Sequence, residues 1–582
     1  MSRSLFLLLV GLTTVNLTSI ARADDPTDGA VAHAELFESN AFPSARECSS
    51  CHPIQYKEWA SSPHAYAQLS PVFNAMNAKL LKLTNGTLGD FCIRCHTPVG
   101  MALDEPIVAP NAERHAVSRE GVTCVTCHRR SQPEGKSSGR FSIEHGDITA
   151  AVYGPQGGAE LERVLASKEY ELGSAAPERK VHSEIFQFEQ LTTSGFCGTC
   201  HDVNGANGFR LEEAFSEFKS SPAASNSASC QDCHMGTEPG RVSDYAEMPA
   251  ALVGGKPTRP RRHANHRFVG PDYSIVHAGV FPHNPAAEDF ATFSEWIQFD
   301  IEAGWGTDDF EDLVTGEERF PSRWQSAAAR YRARSIIEDN LDTLQKVAVE
   351  RKQLLQNGYR LGAIEVVEAT GDGIEFTVEV ENATDGHNVP TGFDAERLVF
   401  LRVEVRDAMG DVLYRSGDLD PNGDLRDSHS RYVHDGVLPL DEDLFSLQSK
   451  FVVKMIRGGD REQVLNVNYS PSPLPFLRPP THAALFAGRP RGTRKHRQTI
   501  PPKASRSATY RIDGELLLGR TPPYEATIQL IAGMVPVNLV HAIADVGFDY
   551  AMSPRTVADA VVAGHQVLWE QKVSLRPGAS SE

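Results

Sequence analysis

Five copies of the pattern Cys-x-x-Cys-His account for every cysteine in the chain. They are Cys48-Ser-Ser-Cys51-His52, Cys92-Ile-Arg-Cys95-His96, Cys124-Val-Thr-Cys127-His128, Cys197-Gly-Thr-Cys200-His201 and Cys230-Gln-Asp-Cys233-His234. Two intervening residues put both thiols on one side of a single chain turn, where they form thioethers to the two vinyl groups of a haem. The histidine that follows then points at the iron as its proximal ligand. Zinc also takes Cys-x-x-Cys pairs, but a four-ligand zinc site has no need of a histidine directly after each second cysteine. Disulfides suit an exported chain, yet they leave five identically placed histidines without a reason. The expectation is five covalently bound haem c groups, held by these ten cysteines, with iron bound by His52, His96, His128, His201 and His234.

All five units lie between Cys48 and His234. That is fewer than about 40 residues per haem, too short a stretch to wrap each one in a core of its own. The haems must supply much of that core and lie close together. The short gaps suggest two pairs, Cys92 with Cys124 and Cys197 with Cys230.

The second axial position separates carrier from catalyst. Of 21 histidines, those before residue 300 and outside the motifs are His33, His64, His115, His145, His182, His263, His266, His277 and His283. By context the leading candidates for sixth ligands are His64, in Trp59-Ala-Ser-Ser-Pro-His64, His182 ahead of the fourth motif, and His266 and His277 after the fifth. Two histidines per iron favour lower potentials than a His/Met pair. Met76 and Met101 are candidate thioether ligands, although methionine among apolar neighbours is ordinarily packing.

Residues 1–23 read as a cleaved signal peptide, with Arg3, an apolar stretch Leu5 to Leu12 and Ala21-Arg22-Ala23 at the cleavage site. The expected location is periplasmic or extracellular. No later segment supplies ~18 consecutive apolar residues, so no transmembrane segment is expected. The 57 Lys+Arg against 76 Asp+Glu, a formal charge of -19, argue against nucleic acid as a partner.

Past residue 300 the pattern changes. Trp324 to Leu355 reads as a long helix, with Ile337, Leu341, Leu344 and Val347 at helical spacing. From Gly373 the period becomes two: Ile374, Phe376, Val378 and Val380 alternate with polar residues. Leu401, Val403 and Val405 do the same before Met409-Gly410-Asp411 turns the chain into Val412-Leu-Tyr414. Such strands build antiparallel sheet with one wet face. Long insertions, such as the Pro-rich stretch from Ser470 to Pro480, interrupt it. Arg489, Arg491, Arg494, Lys495 and Arg497 form a basic run, read as a solvated loop or as a surface for an acidic redox partner or haem propionates. A helical stretch is expected near Val557 to Trp569, weakened by Gly564.

The fold class expected is multidomain α+β. A haem-packed, mainly α/coil cytochrome domain (24–295) is followed by a helical connector (296–362) and a β-sandwich-like domain with a helical tail (363–582).

The segment from Cys48 through Tyr56 and Trp59 to His64-Ala65 resembles the opening of multihaem cytochromes c of the tetrahaem nitrifier type, which are similar to hydroxylamine oxidoreductase and pentahaem nitrite reductase. Phe91-Cys-Ile-Arg-Cys-His-Thr-Pro98, Gly121 to His128, Phe196 to Asp202 and Cys230 to Met235 extend the resemblance over about residues 46 to 285. It implies that His64 ligates a neighbouring haem, and it implies electron transfer. The Cys-x-x-Cys-Lys unit of pentahaem nitrite reductase is absent here, and no counterpart of the hydroxylamine oxidoreductase tyrosine crosslink is identified. Gly386-His387-Asn-Val-Pro390-Thr-Gly392 is similar to a loop that follows the haem region in many multihaem cytochromes. His387 there either reaches back to a haem or holds a turn.

The reading that follows is a carrier more than a catalyst. It is an exported pentahaem cytochrome passing electrons through closely packed, mostly bis-histidine haems to or from redox partner proteins. The alternative is an oxidoreductase acting on small nitrogen or sulfur compounds at one open-coordination haem.

Overall fold

The computed structural model describes residues 41–576 apart from 133–137, 173–179, 205–209, 317, 455–461 and 465–492. The expected signal peptide, the Pro-rich stretch Ser470 to Pro480, and Arg489 and Arg491 of the basic run lie outside the described residues.

The motif half is built from short helices and turns. Helix α1 (Pro53–Trp59) starts directly after His52 with proline at its first turn, where the missing N–H costs nothing. Helix α2 (Pro71–Leu83) begins the same way, and Ser70 accepts from the Phe73 N–H to cap it. Around α1, buried Trp59, Ala65, Tyr66, Leu69 and Phe281 form one apolar cluster, and Trp59 Nε1 donates to Val122 O at 2.8 Å.

Helix α3 (Ala327–Gly358) is the long helix, capped by the Ser326 side chain. Trp324 stands ahead of it in a separate 3₁₀ turn, fully buried against Trp296 and Phe299. The buried face is not the expected stripe. It runs through Arg330, Ala333, Ile336, Ile337 and Asn340, while Leu341 is 45 % exposed. Asn340 is drawn inward because its side chain donates to Ala278 O at 2.7 Å and accepts from Asn284, so a polar residue occupies a place where apolar spacing alone looks for leucine.

Two open antiparallel sheets follow. One has the order β5–β2–β1, from β1 (Tyr359–Ala369), β2 (Gly373–Asn382) and β5 (Ser505–Asp513); the other has β4–β3–β6–β7, from β3 (Leu398–Arg406), β4 (Val412–Ser416), β6 (Tyr524–Gly533) and β7 (Gln566–Leu575). Along β2 every second residue is buried, as the alternation requires. Phe376, Val378, Leu401, Val403, Tyr510, Ile528 and Leu530 from both sheets share one core. The turn between β3 and β4 uses Gly410 at φ +88°, a left-handed conformation that glycine adopts without strain.

The tail differs from the expected helix. Helix α4 (Pro554–Ala563) stops at Gly564, and Trp569 lies in β7, the edge strand of the four-stranded sheet. Gly564 ends the helix where the Tyr273 ring leaves no room for a Cβ, and Val567 and Val573 beyond it favour strand. Val72 and Leu80 of α2 pack in one cluster with Met534, Val537 and Val557, so the motif half and the C-terminal half share buried surface. No helix among the described residues is long and apolar enough to cross a membrane.

Candidate haem-binding site

Each motif folds as about one turn of helix or a tight bend, which sets the two thiols three residues apart on one side. The fifth motif shows why this holds: Cys230–His234 is helical, and Ser229 with Asp232 forms a reciprocal cap at its start. None of the ten cysteines forms a disulfide. Among the described residues no group of three or more His, Cys, Asp or Glu side chains is arranged to hold a lone metal ion.

His52, His96, His128 and His201 are oriented through Nδ1, which leaves Nε2 available to a metal. His52, His96 and His128 meet the backbone carbonyls of Ala250, Ala67 and Tyr153 at 2.7, 3.0 and 2.9 Å. His234 bonds the carbonyl of Val269. His201 instead meets Glu212 Oε1 at 2.9 Å.

Four motif histidines stand opposite a second histidine. The ring centres of His52 and His182 are 6.2 Å apart, those of His64 and His201 6.3 Å, those of His128 and His266 6.5 Å, and those of His234 and His387 6.4 Å. The ring planes of His52/His182 and His234/His387 are each 11° from parallel. Two imidazoles bound to one metal, each through a bond of about 2 Å, have centres a little over 6 Å apart. The residues therefore fit a haem iron held between two histidines at four of the five motifs. His96 differs: Phe73 of α2 lies flat against its ring at 3.6 Å, and no histidine faces it among the described residues.

Burial pushes His64 down to about 3 and His128, His182 and His234 down to about 4, so these rings are neutral near pH 7, the form that offers a lone pair. His201 is the exception. Burial lowers it, but the Glu212 carboxylate outweighs that and raises it to about 9.

His277 is not brought to any motif histidine. Its Nε2 is 2.9 Å from Phe299 O and its Nδ1 accepts from the Gly279 N–H at 2.9 Å, so both ring nitrogens are used in packing the loop against Trp296. His277, expected as a metal ligand, thus has both ring nitrogens engaged within its own loop.

His387 is positioned by its loop. Asn382 donates to His387 O, and Glu217, on the short helix Ala214–Lys219, accepts from Asn388 Nδ2 at 3.0 Å and from Thr391 Oγ1 at 2.6 Å. Burial, with Asp394 nearby, raises Glu217 to about 7 despite the Thr391 hydrogen bond. Two residues of the basic run are paired with carboxylates, and of these the Lys495 side chain is shielded while Arg497 is exposed. The buried Lys495 bonds Asp394 at 2.6 Å and Glu213 at 3.2 Å, and Arg497 also pairs with Glu213.

Glu58, one turn along α1, accepts from His263 Nε2 at 2.8 Å and from the His266 N–H at 2.9 Å. Burial alone would raise it; these bonds hold it near 2. Sequence reasoning missed Glu58, Glu212 and Glu217 because single carboxylates in an acidic chain look like solvated surface. The only available signal was the position of Glu58 inside the Tyr56–Trp59 segment.

Thiol contacts show which motifs adjoin. The thiol of Cys124 neighbours that of Cys48, Cys200 neighbours Cys95, and Cys197 neighbours Cys230. Of the two pairs expected from short gaps, Cys197 with Cys230 is present. Cys124 adjoins Cys48 instead of Cys92, because the fold and not chain distance decides which turns meet.

Residues 47–129, which contain the first three motifs, match the family model described as cytochrome c554 and c-prime. That segment is similar to multihaem c-type cytochromes. The match supports covalent haem c and an electron-transfer cytochrome. A solved structure, a penta-heme cytochrome c552 from Thermochromatium tepidum, aligns at 16 % identity with a TM-score of 0.48, covering 91 % of this chain and 98 % of that one. No curated protein matches the chain.

Proposed function

We propose that the chain is an exported five-haem electron carrier, in which four haems have a histidine on each face. The observation that carries this is the set of four histidine pairs at 6.2–6.5 Å, each joining a motif histidine to one from elsewhere in the chain. His182 would serve the first haem, His266 the third, His64 the fourth and His387 the fifth. Cys48, Cys51, Cys92, Cys95, Cys124, Cys127, Cys197, Cys200, Cys230 and Cys233 would hold the haems covalently.

Bound haem supplies reversible one-electron chemistry. The chain does the rest. It holds His52, His96, His128 and His201 through Nδ1 and keeps His64, His128, His182 and His234 neutral by burial. It also sets neighbouring attachment turns against one another at Cys48/Cys124, Cys95/Cys200 and Cys197/Cys230. Electrons entering at one attachment site would thus have a neighbour to pass to and would leave to a redox partner protein in the periplasm or outside the cell.

A second reading, redox chemistry on a small nitrogen or sulfur compound, attaches to the second motif. With the other four motif histidines paired, any haem that takes a small molecule is the one at His96.

Whole-protein mass spectrometry followed by dithionite reduction and carbon monoxide titration tests both readings. The carrier reading expects a mass increment of five haems and a low-spin reduced spectrum in which four haems ignore carbon monoxide. Binding by two or more haems would overturn it. Binding by a single haem, lost when His96 or its thiols are replaced, would move the second reading forward.

A further inference from the structure

Within one chain, the same role is filled by two kinds of hydrogen-bond acceptor. The Nδ1 atoms of His52, His96 and His128 meet backbone carbonyls at 2.7–3.0 Å, and His234 is hydrogen-bonded to the backbone of Val269. Among the described residues, His201 is the motif histidine that meets a carboxylate, Glu212 Oε1 at 2.9 Å. The placement is built into the fold. Strand Arg210–Glu212 folds back on Val203–Asn204 directly after the motif, and Val203 pairs with Glu212 in register.

The surrounding charges leave Glu212 available to His201. Arg397, whose guanidinium also feels the Glu212 charge, is itself held by both carboxylate oxygens of Asp272. A carboxylate draws the Nδ1 proton harder than a peptide carbonyl does. The imidazole then donates more electron density through Nε2, which favours ferric over ferrous iron. The Glu212 side chain is 25 % exposed, so solvent weakens its pull without abolishing it.

We propose that Glu212 is a positioning residue that makes the haem on Cys197 and Cys200 the most reducing of the four histidine-paired haems. This rests on the reading of His201 and His64 as its two ligands. The effect falls between the second and fifth motifs, since Cys200 adjoins Cys95 of the second and Cys197 adjoins Cys230 of the fifth.

The test is a potentiometric titration of the full five-haem chain followed by electron paramagnetic resonance, in the parent, E212Q, E212D and H64A. E212Q keeps an acceptor of the same length and removes the charge. One low-spin haem, the one with the lowest midpoint in the parent, is expected to shift about tenfold toward ferrous at fixed potential, about 59 mV for a one-electron couple. The other four should stay in place, and all should keep their spin state. E212D retains the charge at shorter reach and should give a smaller shift of the same sign, which keeps the test available if E212Q does not mature. H64A should turn that same haem high-spin. If H64A leaves every haem unchanged, the ligand assignment fails. If H64A converts one haem while E212Q moves none, or moves all five equally, the assignment stands and the role of Glu212 is overturned.

Discussion

His387 stands 6.4 Å from His234, ring centre to ring centre, although the two residues lie in opposite halves of the chain. The C-terminal half therefore presents a loop that sets a second histidine opposite that of the fifth motif. Replacing His387 by alanine is expected to convert one haem of five from low-spin to high-spin and leave the other four untouched. Visible and paramagnetic resonance spectra of the ferric protein check this.

Glu217 ties that loop down through Asn388 and Thr391. E217A removes the acceptor for two half-buried donors, of which Asn388 Nδ2 keeps Thr499 Oγ1, so a loss of about 1 kcal/mol is expected. Thermal melting read at the haem absorbance measures it, and E217Q, which keeps one acceptor oxygen, should lose less.

His277 has both nitrogens engaged by Phe299 O and the Gly279 N–H. H277Q should lower the melting temperature and leave the haem spectra of both redox states as in the parent. A change in the spin state of any one haem would return His277 to the set of ligands.

Glu396 is buried beside Asp394 and Lys450, and burial raises its carboxyl to about 8. The folded chain keeps a proton there that the unfolded chain releases above about pH 4.5. Its contribution is therefore complete below that pH and is lost as the pH climbs through about 8. Compared with E396Q, the parent should lose stability across this window by up to about 1 kcal/mol per pH unit. Denaturant melts of both proteins at pH 5 and pH 9 give the difference.

Legibility followed the range of the interaction. The five motifs are local, a fixed spacing on one helical turn, and they can be read directly. The strand period of β2 is equally local, because burial of Ile374, Phe376, Val378 and Val380 follows from alternation alone. Pairings across the fold were less accessible. His64 and His387 could be singled out by resemblance, but which motif each faces depends on how distant segments meet. The same holds for Cys124 against Cys48. For His277, sequence context near the motifs suggests a ligand, whereas its hydrogen bonds to Phe299 and Gly279 depend on a fold the sequence does not display. The shift of the buried face of α3 from Leu341 to Asn340 has a similar cause, since a buried amide satisfied by Ala278 O is invisible to a hydrophobic count.

The most direct test of the four histidine pairs is quantitative electron paramagnetic resonance of the fully oxidised protein, with low-spin and high-spin ferric signals integrated against the haem content. Four or more low-spin haems per chain, four of them with signals of bis-histidine type, is the predicted result. Fewer than four would contradict the pairing of His52 with His182, His64 with His201, His128 with His266 and His234 with His387.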